Sequence, residues 1–359
     1  MDFSALRAEF PVFPRLAYLN AGTDGPLPAR GVEAAAQELR READDGRSQA
    51  HFERRRELSA ELRSAYADAL GCQPADVALT TSTSEGIAQT IDGLELARGE
   101  EIVTSDEEHP GLLGALSAAR ALRGVSIREV PLAQIADAPG PRTRLVACSH
   151  VGWISGSVAP AALAAVDVPV LLDGAQGVGA IGVNVHELGC DAYAGAGQKW
   201  LCGPDGTGML YVSPSMRERL GVSRRGYGNL ADPDAGLEAR LHDDARCLDS
   251  MSLSAEAHAC ALAASRVLAS DGWPAVQQRA IALASRLAEL LAEHGREVAA
   301  RGETTLVSFS SPDPSVERER LSENGVIVRN IPGRPWLRAS VGAWNDEDDL
   351  DRLLGMLST

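Results

Sequence analysis

This chain of 359 residues has almost no lysine. Of its 34 Lys and Arg side chains, one is Lys, at position 199. Arginine keeps its proton in proteins and cannot act as a nucleophile, whereas a desolvated lysine can lose its proton and form an imine with an aldehyde. Either arginine-rich coding has left Lys199 as an ordinary surface residue, or Lys199 alone carries whatever amine chemistry the chain performs. Other absences narrow the field. No apolar run reaches the ~20 residues of a membrane-spanning helix. The opening MDFSALRAEF has no basic segment followed by an apolar one, so no secretory leader is expected. The six cysteines (72, 148, 190, 202, 247 and 260) form no CxxC pair and no metal-ligand spacing. They read as reduced thiols of a cytosolic protein, and no metal is expected. A net charge of −16 and a pI near 4.9 argue against a nucleic-acid partner, which would want a basic face. There is no internal repeat and no low-complexity tract.

What is present is a large apolar fraction, 45%, enough for the core of a two-domain enzyme. The chain is organised around Leu171–Val212. Val168–Leu172 predicts a short strand ending at Asp173, and Asp191–Gly195 a second one leading into Gly197-Gln198-Lys199. The turn Gly203-Pro204-Asp205-Gly206 then precedes a third strand, Gly208–Val212. Open α/β sheets bind ligands at the carboxyl ends of their strands. An acid at one strand end and a lone lysine 26 positions later suit pyridoxal phosphate (PLP), an aldehyde held by a Lys Schiff base with an acidic partner on its pyridine nitrogen.

Further strands are predicted at Asp76–Thr81, Glu101–Ser105 and Arg144–Cys148, and helices at Gly31–Arg41, Phe52–Leu70 and Leu112–Leu122. Ser82-Thr83-Ser84-Glu85 opens a helix reaching about Leu94. Its spacing fits a capping box, and its hydroxyls and backbone N–H groups fit an anion site; the two roles are compatible. Beyond Val212 a loop-rich segment extends to about Arg246. Helices at Ala255–Ala269 and Pro274–His294 follow, with Gly295 as the C-cap. Strands at Thr305–Phe309, Val326–Arg329 and Leu337–Val341 alternate with helices at Val316–Ser322 and Glu347–Leu357, as in a small α/β domain. Arg329 and Arg338 suit a substrate carboxylate, which planar guanidinium groups bind bidentately; read without context they are two surface charges among many.

DGAQ at 173–176 followed by GQKWLCGPDGTG at 197–208 resembles the class V branch of the fold-type I PLP enzymes, which includes cysteine desulfurases and cysteine/cystine C–S lyases. The resemblance extends over most of the chain. It implies a seven-stranded, mainly parallel sheet in a large PLP-binding domain (residues 15–245), and a small domain made of residues 1–14 and 246–359. It implies a homodimer. Lys199 would carry PLP as the Schiff base, Asp173 would pair with the pyridine nitrogen and Gln176 with the phenolic oxygen. Thr83 and Ser84 would contact the phosphate, and Ser252 would reach the neighbouring subunit's phosphate. His109, within Glu107-Glu108-His109-Pro110-Gly111, would stack on the ring; read alone it is a loop histidine. Gln198 stands where many relatives have a phosphate-bound His, and it can donate without carrying charge. Ala21 and Gly22 would lie near the substrate, as would Trp153, which could also be core packing; His150 reads as a structural histidine. Arg338, then Arg329, would bind the substrate carboxylate.

Desulfurases place a nucleophilic cysteine on a longer loop between two such arginines, and this chain has none from Ala261 to its end. The implied activity is therefore C–S β-elimination on cysteine, cystine or a related S-substituted amino acid. An aminotransferase or amino-acid epimerase on the same scaffold is the alternative. A non-catalytic PLP-binding sensor is more remote, because Lys199, Asp173 and both arginines are retained and no DNA-binding segment is fused.

Overall fold

The computed structural model describes residues 2–222 and 224–357; the outer bounds of the expected small domain, 1 and 359, lie outside the described residues. In chain order the elements are α1 (Phe3–Ala8), β1 (Ala17–Tyr18), α2 (Ala29–Asp45), α3 (Gln49–Leu70), β2 (Val77–Thr80), α4 (Thr83–Gly93), β3 (Glu101–Ser105) and α5 (Pro110–Arg123). Next come β4 (Ser126–Val130), β5 (Thr143–Ser149), β6 (Val170–Asp173), β7 (Ala192–Ala196), β8 (Gly208–Val212) and α6 (Pro214–Arg219). The chain closes with α7 (Ala255–Leu268), α8 (Trp273–Glu293), β9 (Leu306–Ser310), α9 (Pro314–Glu323), β10 (Val326–Ile327), β11 (Arg329–Asn330), β12 (Trp336–Ser340) and α10 (Glu347–Met356).

The main sheet has seven strands in the order β2-β8-β7-β6-β5-β3-β4. β8 alone runs against its neighbours, antiparallel to both β2 and β7. Side chains alternate between its faces as the period of two requires. Leu172 joins Leu62 and Tyr66 of α3 in one core, while the adjacent Leu171 joins Ile87 and Ile91 of α4 and Leu112 and Leu116 of α5 in the other. Helices cover both faces, so the inner strands are buried and largely apolar, and the strands' carboxyl ends open a ligand-binding rim.

A second sheet, β11-β12-β9, packs on α8 and α10 through Leu287, Leu291, Leu337, Leu350 and Leu353. Here one expectation is corrected. Val326–Arg329 is not one strand. Val326–Ile327 pairs with β1, and Arg329–Asn330 pairs antiparallel with β12. The break at Val328 hands the chain from one sheet to the other and sets Arg329 beside Arg338. Among the described residues no helix is long and apolar enough to cross a membrane, and no His, Cys, Asp and Glu cluster could hold a metal ion.

Candidate active site

The main sheet's rim and the second sheet enclose a cavity of about 270 Å³. The sheet brings Asp173, at the end of β6, beside the turn after β7 that carries Gln198 and Lys199. Asp173 is 5% exposed, and its Oδ1 accepts from the Ala175 N–H at 3.0 Å. Burial pushes its carboxyl up, and the charge of Lys199 draws it back. Lys199 is buried. Desolvation lowers its ammonium to about 8, against the pull of Asp173 and helped by Arg338. A lysine so placed is partly neutral near neutral pH, as a nucleophile or base must be. Gly25 clamps the facing loop to this turn. Its N–H donates to the Gln198 carbonyl at 2.7 Å, and a Cβ there would lie 2.0 Å from the Lys199 carbonyl oxygen, so only glycine fits.

Thr83 and Ser84 form the first turn of α4 and line the cavity. Ser82 caps that helix, its Oγ accepting from the Glu85 N–H at 3.2 Å. The return bond of a capping box is not made: the Glu85 carboxylate instead accepts from the Thr81 N–H and hydroxyl, both at 2.7 Å. The opposite wall is His109 and Trp153. The His109 Nδ1 accepts from the Gly111 N–H at 3.0 Å, capping α5. Burial, with the charges of Lys199, Arg329 and Arg338, lowers its imidazole to about 4, so it is neutral. Its ring meets Trp153 edge to face, centroids 5.0 Å apart. The Trp153 Nε1–H donates to the Glu108 carbonyl at 2.9 Å. Gln176 is fixed by both ends of its amide, donating to the Gly22 carbonyl at 2.7 Å and accepting from the Trp200 indole at 2.9 Å.

Arg338 is 0% exposed. One nitrogen donates to the Trp153 carbonyl at 2.8 Å; among the described residues Nε and Nη2 find no partner. Burial, then Arg329, lowers its guanidinium to about 9. Arg329 donates to Thr23 Oγ1 at 3.3 Å and lies 5.6 Å over the Trp153 ring.

Most expected residues thus converge: Gly22, Thr83, Ser84, His109, Trp153, Asp173, Gln176, Gln198, Lys199, Arg329 and Arg338 all line the cavity. Ala21 does not. The turn at 20–24 aims its side chain into a core with Phe10, Leu306 and Trp344, so only its neighbour Gly22 faces the cavity. Ser252 is exposed and does not line the cavity of its own chain. His150 is buried, its Nδ1 3.0 Å from the Tyr193 hydroxyl, as a structural histidine should be. Ser82, read from sequence as part of the anion site, lines the cavity too, and so do Thr23, Asp24 and Ala175, which were not singled out from sequence as substrate or cofactor contacts; Asp24 sits in a Gly/Pro-punctuated loop where an Asp ordinarily signals only a turn.

Residues 17–353 match the aminotransferase class-V family. The chain belongs to that family. Class-V enzymes are PLP-dependent. Among its relatives, a probable cysteine desulfurase of Pseudomonas aeruginosa is 31% identical over 318 residues, 78% of this chain and 76% of that protein. Isopenicillin N epimerase of Streptomyces clavuligerus is 29% identical over 241 residues, 61% of this chain; the chain spans only 59% of that relative's length. Among solved structures, the cystine C–S lyase C-DES, in complex with its reaction product cysteine persulfide, superposes with a TM-score of 0.90 at 27% identity, covering 96% of this chain and 98% of that one. A lysine-to-alanine mutant of C-DES with glycine covalently linked to the PLP cofactor gives 0.91, also at 27%, covering 97% and 98%. The seven-stranded, mostly parallel sheet is thus that of the class-V fold.

Proposed function

We propose that this chain is a PLP-dependent C–S β-lyase acting on cysteine, cystine or a related S-substituted amino acid, releasing pyruvate, ammonia and a thiol or persulfide. The cavity fits the cofactor. Thr83 Oγ1 and Gln198 Oε1 are buried and, among the described residues, unpartnered, and the Gln198 amide can present either its oxygen or its NH₂. PLP supplies an aldehyde for amines and an electron-accepting ring. Lys199 would hold it, Asp173 would face its pyridine nitrogen and Gln176 its phenolic oxygen. His109 would cover the ring; Thr83, Ser84 and Gln198 would receive the phosphate, with Ser252 supplied by the partner of a homodimer. A cytosolic setting completes the reading.

The observation that carries the substrate class is Arg338: a fully buried guanidinium with two unpartnered nitrogens demands an anion, and an amino acid's carboxylate supplies one bidentately. Arg329 adds a second donor from the same side. Lys199 Nζ, released when the substrate's amine takes its place on the cofactor, would then be free to take the α-proton, and the neutral His109 and Trp153 would keep water from that side. Lyase rather than desulfurase follows from the thiols. The Arg329–Arg338 connection holds no cysteine. Cys202 is buried, and burial pushes its thiol well above the ordinary value; Cys247 is shifted the same way. A protonated, packed thiol is a poor sulfur acceptor. The C–S bond therefore breaks with the electron pair leaving on sulfur.

Epimerisation is the second reading, favoured by the similarity to isopenicillin N epimerase. A product assay with cystine, cysteine and alanine tests the proposal. Pyruvate with a persulfide from cystine supports it. Alanine formed from cysteine, keto-acid exchange, or inversion at Cα without pyruvate would sink it.

A further inference from the structure

The cavity carries one charged side chain that the mechanism above does not use. Asp24 stands exposed at its mouth, lining it together with Lys199 and Arg329. Its backbone is held on three sides. The Asp24 N–H donates to the Asn20 carbonyl at 3.2 Å, its carbonyl accepts from the Tyr18 hydroxyl at 2.8 Å, and the next residue, Gly25, is clamped to the Lys199 turn. The backbone that carries the carboxylate therefore keeps a fixed place relative to the Lys199 turn. Burial and Asp205 push its carboxyl up, while the charges of Lys199 and Arg329 draw it down, so all three charges reach it. Yet among the described residues its side chain makes no hydrogen bond and no ion pair.

A free carboxylate at the mouth repels the substrate's own α-carboxylate, which has its seat deeper at Arg338. The negative charge of Asp24 matches a cation arriving at the far end of the substrate. We propose that Asp24 reads a positively charged group at the end of the substrate's side chain, so that the favoured β-substituents are those ending in a protonated amine. This rests on the placement of the α-carboxylate at Arg338, argued above.

The test separates this inference from the lyase reading by using ligands with no leaving group. Lysine and 2-aminoheptanoate have the same length and differ in having NH₃⁺ or CH₃ at the end. Calorimetric titration of the holoenzyme should show lysine bound about tenfold more tightly, the worth of one charge-assisted hydrogen bond. Asp24→Asn should abolish that difference while weakening 2-aminoheptanoate far less than lysine. Equal affinities in the wild type, a preference that survives in Asp24→Asn, or equal losses for both ligands would each overturn the inference. A kinetic arm repeats the comparison: S-(2-aminoethyl)cysteine should exceed S-propylcysteine in kcat/KM, and Asp24→Asn should level them. A kinetic preference for the aminoethyl compound that Asp24→Asn leaves intact would equally overturn it.

Discussion

Arg329 and Arg338 stand opposite each other on one rung of the antiparallel β11–β12 ladder. Like charges directly opposed weaken a sheet, and Arg338 is also buried, with no counter-charge beside it among the described residues. Such an arrangement is costly until an anion arrives. Arg338→Met should therefore raise the Tm of the substrate-free protein, as replacing buried charge with apolar volume often does. It should raise KM for every amino-acid substrate, with a loss of about 2–5 kcal/mol in kcat/KM. A lower Tm, or equal loss of cofactor and substrate binding, would make Arg338 a structural residue.

Lys199 should titrate within the working range. With its ammonium lowered to about 8 from the usual 10.5, the folded apoprotein holds fewer protons than the unfolded chain between those values. Its stability should then rise with pH through that window. Capture of PLP by the apoprotein, followed by stopped-flow absorbance, should quicken with pH up to about 8 and then level off. Borohydride reduction of the holoenzyme should label one peptide. Lys199→Ala and Lys199→Arg should both lose that label while staying folded, because the imine needs a neutral amine.

Glu108 offers an opposite pH signature. Its buried carboxyl accepts from the Ser105 hydroxyl and from the Ser149 N–H and hydroxyl at 3.0 and 2.7 Å. Burial pushes it up to about 7. The folded state then holds the proton more tightly than the unfolded one, so stability is lost as pH rises from the ordinary carboxyl range through about 7. Glu108→Gln should raise Tm more at about pH 8 than at about pH 5. An equal shift at both would show that the carboxyl does not titrate there.

Much of this was legible in the sequence because the chemistry is local. Asp173 closes a four-residue apolar strand, and Lys199 follows another within a Gly/Pro turn, so period and punctuation suffice. The edge strand Ser126–Val130 was not read. It carries Arg128 and Glu129 at its centre and is buried only in part, so it lacks the apolar run that marks the inner strands. The split at Val328 was hidden because both halves have strand character and only their partners differ. Ala21 and Gly22 look alike in a turn; which one faces the cavity is set by the Asn20–Asp24 backbone bonds, not by residue type. Asp24 was passed over for the same reason.

If sulfur leaves directly, without an enzyme thiol, turnover needs none of the six cysteines, and one measurement tests this most directly. A variant with Cys72, Cys148, Cys190, Cys202, Cys247 and Cys260 all replaced conservatively is loaded with PLP and given cystine, and pyruvate is followed over time. Single-cysteine replacements run in parallel guard against a variant that fails to fold. With direct elimination, kcat for pyruvate should remain close to that of the wild type. Collapse of turnover in any one replacement with the cofactor still bound, or a persulfide on the enzyme together with alanine as product, would contradict it.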